Sequence, residues 1–439
     1  MTTIPIRIHH IILLRENLET ENDSRACYEY NIKTWCKMKR LRIKIIFPLL
    51  MLLILLPTGG DVSFRTPCFN AIAQPHSFSL ITWSLNKLST GMITRLQHNN
   101  DYAKLSENER LELVRNYLLL GEKRGYLDFR IMWLDGETDE TAITEKQSTA
   151  EQLSLVIAAM DPDKDAVQNI ISEKLEDILQ EEGISLMPGL IIPPVTFSFE
   201  KLPFLLIISP RDKIIMQDTH TLHPDLTLSE IEDIEQRLET LGYSALVERV
   251  GGISTYPSMI PDTASAYFIF STVAHEWMHQ YLFFHALGRN YGDSYEMRII
   301  NETVADMVGS ELGTQMLNYI YGNNANSILN TPPTDTFDFD KEMRNIRLTA
   351  DLYLQEGKVE EAEQYMEEQR QYLEDNGYYI RKINQAYFAW HGSYADSPSS
   401  VSPVGAQLQE IREQCDSLKA FVKIVSGIAR PSDLNNLVG

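Results

Sequence analysis

His275-Glu276-Trp277-Met278-His279 sits inside a run from Thr263 to Leu287 (TASAYFIFSTVAHEWMHQYLFFHAL) with helix-like apolar spacing, Pro261-Asp262 before it and Gly288 after it. Residues four apart share a helix face, so His275 and His279 can hold one Zn²⁺ together while Glu276 projects beside it as a general base. Among chains with this His and Glu content, the five-residue pattern arises by chance in roughly one of fifty. Its placement on a helix makes coincidence rarer still.

A catalytic zinc needs a third protein ligand and a position left open for water. His285 lies six residues past His279, and on a continuing helix it turns roughly 120° off the ligand face. It reads as a structural histidine. Asn301-Glu302-Thr303-Val304-Ala305-Asp306 lies on a second helical run, from about Ile299 to Leu317. Glu302 and Asp306 fall four apart on one face, so Glu302 can complete the ligand set. Asp306 can accept the outer ring N–H of a ligand histidine and fix its tautomer.

The pair of motifs, HExxH and then Asn-Glu-x-x-Ala-Asp on the next helix, resembles the gluzincin metallopeptidases, the group that includes thermolysin and the zinc aminopeptidases. More loosely, the chain is similar to little-characterised bacterial peptidases of the cell envelope. The resemblance covers roughly Gly251 to Gly313. Twenty-two residues separate His279 from Glu302, more than in the best-known members, so an enlarged loop over Gly288 to Arg298 is expected. The resemblance implies an edge strand upstream of the zinc helix that pairs with substrate, a place occupied by Gly252, Ile253 and Ser254. It also implies a late Tyr or His that stabilises the oxyanion, for which Tyr387, His391 and Tyr394 are the candidates.

The surrounding chain has 439 residues, 44% of them hydrophobic, with 61 acidic against 39 basic side chains. A formal charge of −22 and the lack of a dense Lys/Arg stripe exclude a nucleic-acid binder. Positive charge gathers only near the start, where Lys37, Lys39, Arg40, Arg42 and Lys44 precede the apolar run Ile45 to Pro57. That order matches a secretory signal or a short membrane anchor, which places the acidic body outside the cytoplasm, secreted or tethered through residues 45–57. Ala71-Ile72-Ala73 offers a distant cleavage motif, and residues before Met38 read as an upstream extension. The four cysteines have no metal-ligand spacing.

The expected fold class is α+β and mostly helical. Residues 1–37 form the extension and 38–73 the signal or anchor with its linker. A helical region spans 74–190, a metallopeptidase core with a small mixed sheet and the zinc helices spans 191–325, and a C-terminal helical subdomain spans 326–439. Within the last, Gly357-Lys358-Val359-Glu360-Glu361-Ala362 resembles one tetratricopeptide turn. With no second copy, it reads as an ordinary helical hairpin. His220 and His223 are expected in a solvated loop.

These readings converge on a zinc-dependent metallopeptidase acting on peptide or protein substrates. Its metal ligands are His275, His279 and Glu302, its base is Glu276, and Tyr387 or His391 serves the oxyanion. The rivals are a non-catalytic envelope protein with a structural zinc site and a zinc hydrolase of non-peptide amides or esters.

Overall fold

Hydroxyl and carboxylate caps set where the helices begin. Ser106 and Thr227 each form a reciprocal capping box with the glutamate three residues on, opening α2 (Glu107–Trp133) and α5 (Leu228–Thr240). Ser265 and Ser294 accept from the Phe268 and Met297 amides and open α6 (Ala266–Leu282) and α8 (Tyr295–Tyr321). The computed structural model describes residues 67–87, 101–134, 139–187, 190–329, 337–394 and 397–438, all within one unit.

The fold is α+β and mostly helical. α1 (Pro67–Ala73), α2, α3 (Glu140–Met160) and α4 (Lys164–Glu182) precede β1 (Phe197–Phe199), β2 (Phe204–Pro210) and β3 (Asp218–Leu222). Then come α5, β4 (Tyr243–Arg249), β5 (Ser258–Ile260), α6, α7 (Ala286–Arg289) and α8. After α9 (Ala325–Leu329) the chain forms α10 (Phe339–Gln355), α11 (Val359–Asp375), α12 (Gln385–His391), α13 (Val404–Glu413), α14 (Leu418–Val425) and α15 (Pro431–Val438).

The sheet component divides in two. β3-β2-β4 is antiparallel, with Leu206 opposite His220 on one side and Val247 on the other. β1 and β5 pair in parallel, and Ile253 bridges Met259 on the far side of β5. The apolar run of β2 reflects a strand covered on both faces. Phe204, Leu206 and Ile208 pack with α1 and α5, whereas Ile207 shares a core with Ile346 of α10, Met366 of α11 and Phe388 of α12.

The largest core surrounds α6 and α8 and draws on α2, α4, α13 and α14. Its composition crosses the boundaries expected at residues 190 and 325. The N-terminal helices share one core with the motif-bearing helices. The C-terminal segment is split: α10 to α12 cover the three-stranded sheet, and α13 and α14 return to the main core.

β3 replaces the expected loop, and His220 on it is 3% exposed. Its signal was masked because Asp218-Thr219-His220-Thr221-Leu222 carries one apolar residue, and its inward face is set by pairing with β2. α10 and α11 form the expected hairpin, turning at Gly357 with φ +74°.

The signal or anchor expected over Ile45–Pro57 lies outside the described residues. Among the described residues no helix is long and apolar enough to cross a membrane. The expected placement beyond or at a membrane through such an anchor is therefore corrected: no described helix supplies one.

Candidate metal centre

α8 carries Gly309 and Gly313 one turn apart where it crosses α6. A Cβ on Gly309 would lie 2.8 Å from the Ser271 carbonyl oxygen and 3.0 Å from His275 Cβ, and one on Gly313 would lie 2.8 Å from Ser271 Cα. The two helices therefore touch nearly backbone to backbone, a separation that only glycine permits. That closeness lets the acids of α8 reach the histidines of α6. Replacing Gly309 by Val should force the helices apart, costing about 1–3 kcal/mol of stability and weakening metal binding in a chelator competition.

His275, Glu276 and His279 present ligand atoms all within 4.8 Å of one another, a group that can hold a metal ion. Glu302 closes a tighter set. His275 Nε2 and His279 Nε2 are 2.9 Å apart, and Glu302 Oε2 lies 3.5 Å from the first and 3.3 Å from the second. A tetrahedral ion at the zinc–ligand distance of about 2.0–2.1 Å requires ligand atoms about 3.3 Å apart. The donor set fits such an ion.

The outer partners make the same point. His275 Nδ1 lies 2.8 Å from Asp306 Oδ1, and His279 Nδ1 lies 2.8 Å from Asn301 Oδ1. Each acceptor draws a proton to Nδ1 and so leaves the Nε2 lone pair facing the centre. Two ring nitrogens and a carboxylate oxygen then converge on one point, an arrangement that a bound cation satisfies. Asn301 is itself 1% exposed and donates to the Leu287 carbonyl at 3.3 Å. Tyr291 Oη donates to Glu302 Oε1 at 2.6 Å, leaving Oε2 for the histidines. Asp306→Asn should weaken metal affinity about 10- to 100-fold, checked by titration against a competing chelator.

Electrostatics are set by burial and by these contacts. Burial alone would lower the His275 and His279 pKa values, but Asp306 and Glu302 outweigh it at His275, and Glu302 does so at His279, so both are raised. Burial would raise Glu302, yet the histidines, His279 foremost, hold it well below the usual carboxylate range. Burial pushes Glu276 up, partly offset by the histidines.

Glu276 is 5% exposed and lies against Gly252, where any Cβ would strike its Oε1 and come within 2.6 Å of Thr272 Cγ2. Ser254 Oγ donates to the Glu276 carbonyl at 2.9 Å and pins the segment to α6. The Ile253 main chain is spent on Met259, with both bonds 3.0 Å. In an antiparallel pair the flanking residues turn their polar groups the other way, so Gly252 and Ser254 carry the outer edge.

The later candidates separate. Tyr387 packs on His391 with ring centroids 4.2 Å apart, and His391 Nε2 lies 2.9 Å from Glu248 Oε2 on β4. These two serve the contact between α12 and the sheet. Tyr394, just past α12, is partly buried, and its phenol is pushed well above its ordinary pKa by burial and by the charges of Glu302, Asp306 and Glu276. Of the three candidates, Tyr394 is the one whose hydroxyl feels the metal-centre carboxylates.

His285 stays out of the cluster, but by a different route from the expected one. α6 ends at Leu282, and His285 Nδ1 bonds the Tyr281 carbonyl at 3.0 Å while its ring stacks on Tyr281. Among the partners, Asn301 could have been suspected from sequence, since a buried Asn amid Ile299, Ile300 and Val304 needs a polar partner. Tyr291, in the enlarged loop, carries no such signal.

No family model matches this chain, and comparison with curated proteins and with solved structures finds no match.

Proposed function

We propose that this protein is a zinc-dependent metallopeptidase of gluzincin type. The observation that carries the proposal is the triangle of His275 Nε2, His279 Nε2 and Glu302 Oε2, with sides of 2.9, 3.5 and 3.3 Å, and a second carboxylate, Glu276, beside it. A structural site has no use for that extra acid, whereas a hydrolytic one requires a base.

Zinc held by His275, His279 and Glu302 supplies Lewis acidity, polarising the scissile carbonyl and bringing the pKa of water toward neutrality. Glu276 takes the proton of the attacking water and passes it to the leaving amine. Burial raises its pKa, which makes its carboxylate a stronger base. Asp306 and Asn301 hold the two imidazoles in the tautomer that keeps Nε2 free. We assign donation to the developing oxyanion to Tyr394 rather than to Tyr387 or His391, a choice supported by the burial and the carboxylate charges that keep its proton on. Gly252 and Ser254 offer main-chain groups to an extended peptide.

The test joins metal content to turnover in the same preparation. One zinc per chain and peptide hydrolysis that is lost on chelation and restored by zinc are expected. A preparation that binds no stoichiometric metal, or hydrolyses peptides equally well without it, would sink the proposal.

A further inference from the structure

α8 carries a third charged side chain in line with Glu302 and Asp306. Arg298 lies four residues before Glu302, on the same helix face and about 6 Å back along the axis. Its guanidinium carbon sits 5.3 Å from the centroid of the Tyr291 ring, the ring whose hydroxyl holds Glu302. Its Nη1 lies 3.4 Å from the Met216 sulfur, in the connection between β2 and β3. A thioether is a weak acceptor, and a ring face accepts no directed hydrogen bond of ordinary strength.

Among the described residues no carboxylate lies within ion-pair distance of Arg298. In a chain with 61 acids against 39 bases, most of the described arginines pair with a carboxylate. Arg347 binds Asp351 at 2.8 Å, Arg211 binds Glu363, and Arg412 binds Glu311. The acids closest to the metal centre are committed elsewhere: Glu302 to the histidines and Tyr291, and Asp306 to His275. A half-buried guanidinium, fixed by stacking and with its fork unfilled, is a preorganised site for a carboxylate.

We infer that Arg298 binds a substrate carboxylate close to the scissile bond, so that the enzyme selects peptides carrying either a free C-terminal carboxylate or an acidic side chain there. The inference rests on the peptidase reading above and gives it a substrate class. Repulsion from the acidic body makes the selection depend on this one fork, because Arg298 is the single Lys or Arg on α8.

The zinc-loaded full chain is assayed on peptides of identical sequence as free acid and as C-terminal amide, and on amidated peptides with Glu or Gln near the cleavage point. The carboxylate-bearing member of one pair should be favoured in kcat/KM by about 10- to 100-fold. The first pair reports a terminal carboxylate and the second a side chain. Arg298→Met should bring that ratio close to one, and Arg298→Lys, which keeps the charge but not the fork, should keep part of it. Unchanged zinc content and thermal melting identify variants that are folded. No preference in the wild type, or a preference that survives Arg298→Met, overturns the inference while leaving the peptidase reading intact. If no peptide is turned over, calorimetric binding of the same pairs to the zinc-loaded Glu276→Gln protein decides the matter by the same ratio. Retained selectivity there would uphold the Arg298 site and count against peptidase action alone.

Discussion

Glu276→Gln should keep the metal and lose hydrolysis by about 10²- to 10⁴-fold, the contribution expected of a positioned acid–base group. Gln preserves the shape of the side chain and its contact with Gly252, but it cannot take a proton. The three atoms that define the metal triangle belong to His275, His279 and Glu302, so none of them is altered. Zinc content measured beside kcat separates the two effects. Undiminished turnover would show that Glu276 is not the base, and lost zinc would show that its carboxylate belongs to the ligand set.

The second large effect lies away from the centre. Glu235 on α5 is 2% exposed, yet it pairs with Arg381 at 2.6 Å and Lys382 at 3.1 Å and accepts from the Val247 amide at 2.7 Å. Burial alone would raise its pKa, but these partners, Arg381 foremost, bring it below the ordinary glutamate value. A depressed folded pKa means that the contribution is present above the unfolded value, about 4.3, and is lost as pH falls through the folded one. Glu235→Gln should therefore cost about 3–5 kcal/mol at neutral pH, as expected for breaking a buried ion pair. Urea denaturation should show the gap between wild type and variant shrinking once pH drops below about 4. A gap independent of pH would mean that shape, not charge, holds α5 to the segment before α12.

The legible parts of the fold were those decided locally. α6 and α8 announced themselves through apolar spacing and through acids and histidines at four-residue intervals, and the helical hairpin of α10 and α11 through a glycine turn. β3 and β5 were missed because their character comes from the strands beside them: Ser258–Ile260 is three residues long and is a strand only because β1 lies alongside. Tyr379 to Trp390 has helix-like apolar spacing throughout, yet α12 begins only at Gln385, after Asn384 caps it. The stretch from Gly405 to Ile424 breaks between α13 and α14 at Cys415 and Asp416.

At the centre, spacing along one helix was enough to suggest His275, Glu276, His279, Glu302 and Asp306. The choice among Tyr387, His391 and Tyr394 was not, because it depends on which side of α12 faces the sheet. Likewise Tyr291 matters through a loop whose path no periodicity encodes.

The glycine contact between α6 and α8 has a consequence for how the protein would handle its ion. Small zinc domains fold only as metal binds, because nothing else holds their ligands together. Here the ligand-bearing helices are already locked by Gly309 and Gly313 against Ser271 and by a core that includes Val273, Val304 and Val308. Stripping the ion should leave the far-ultraviolet spectrum and cooperative melting in place. Such a protein can lose, regain or exchange its metal as a reversible loading step, with no refolding in between.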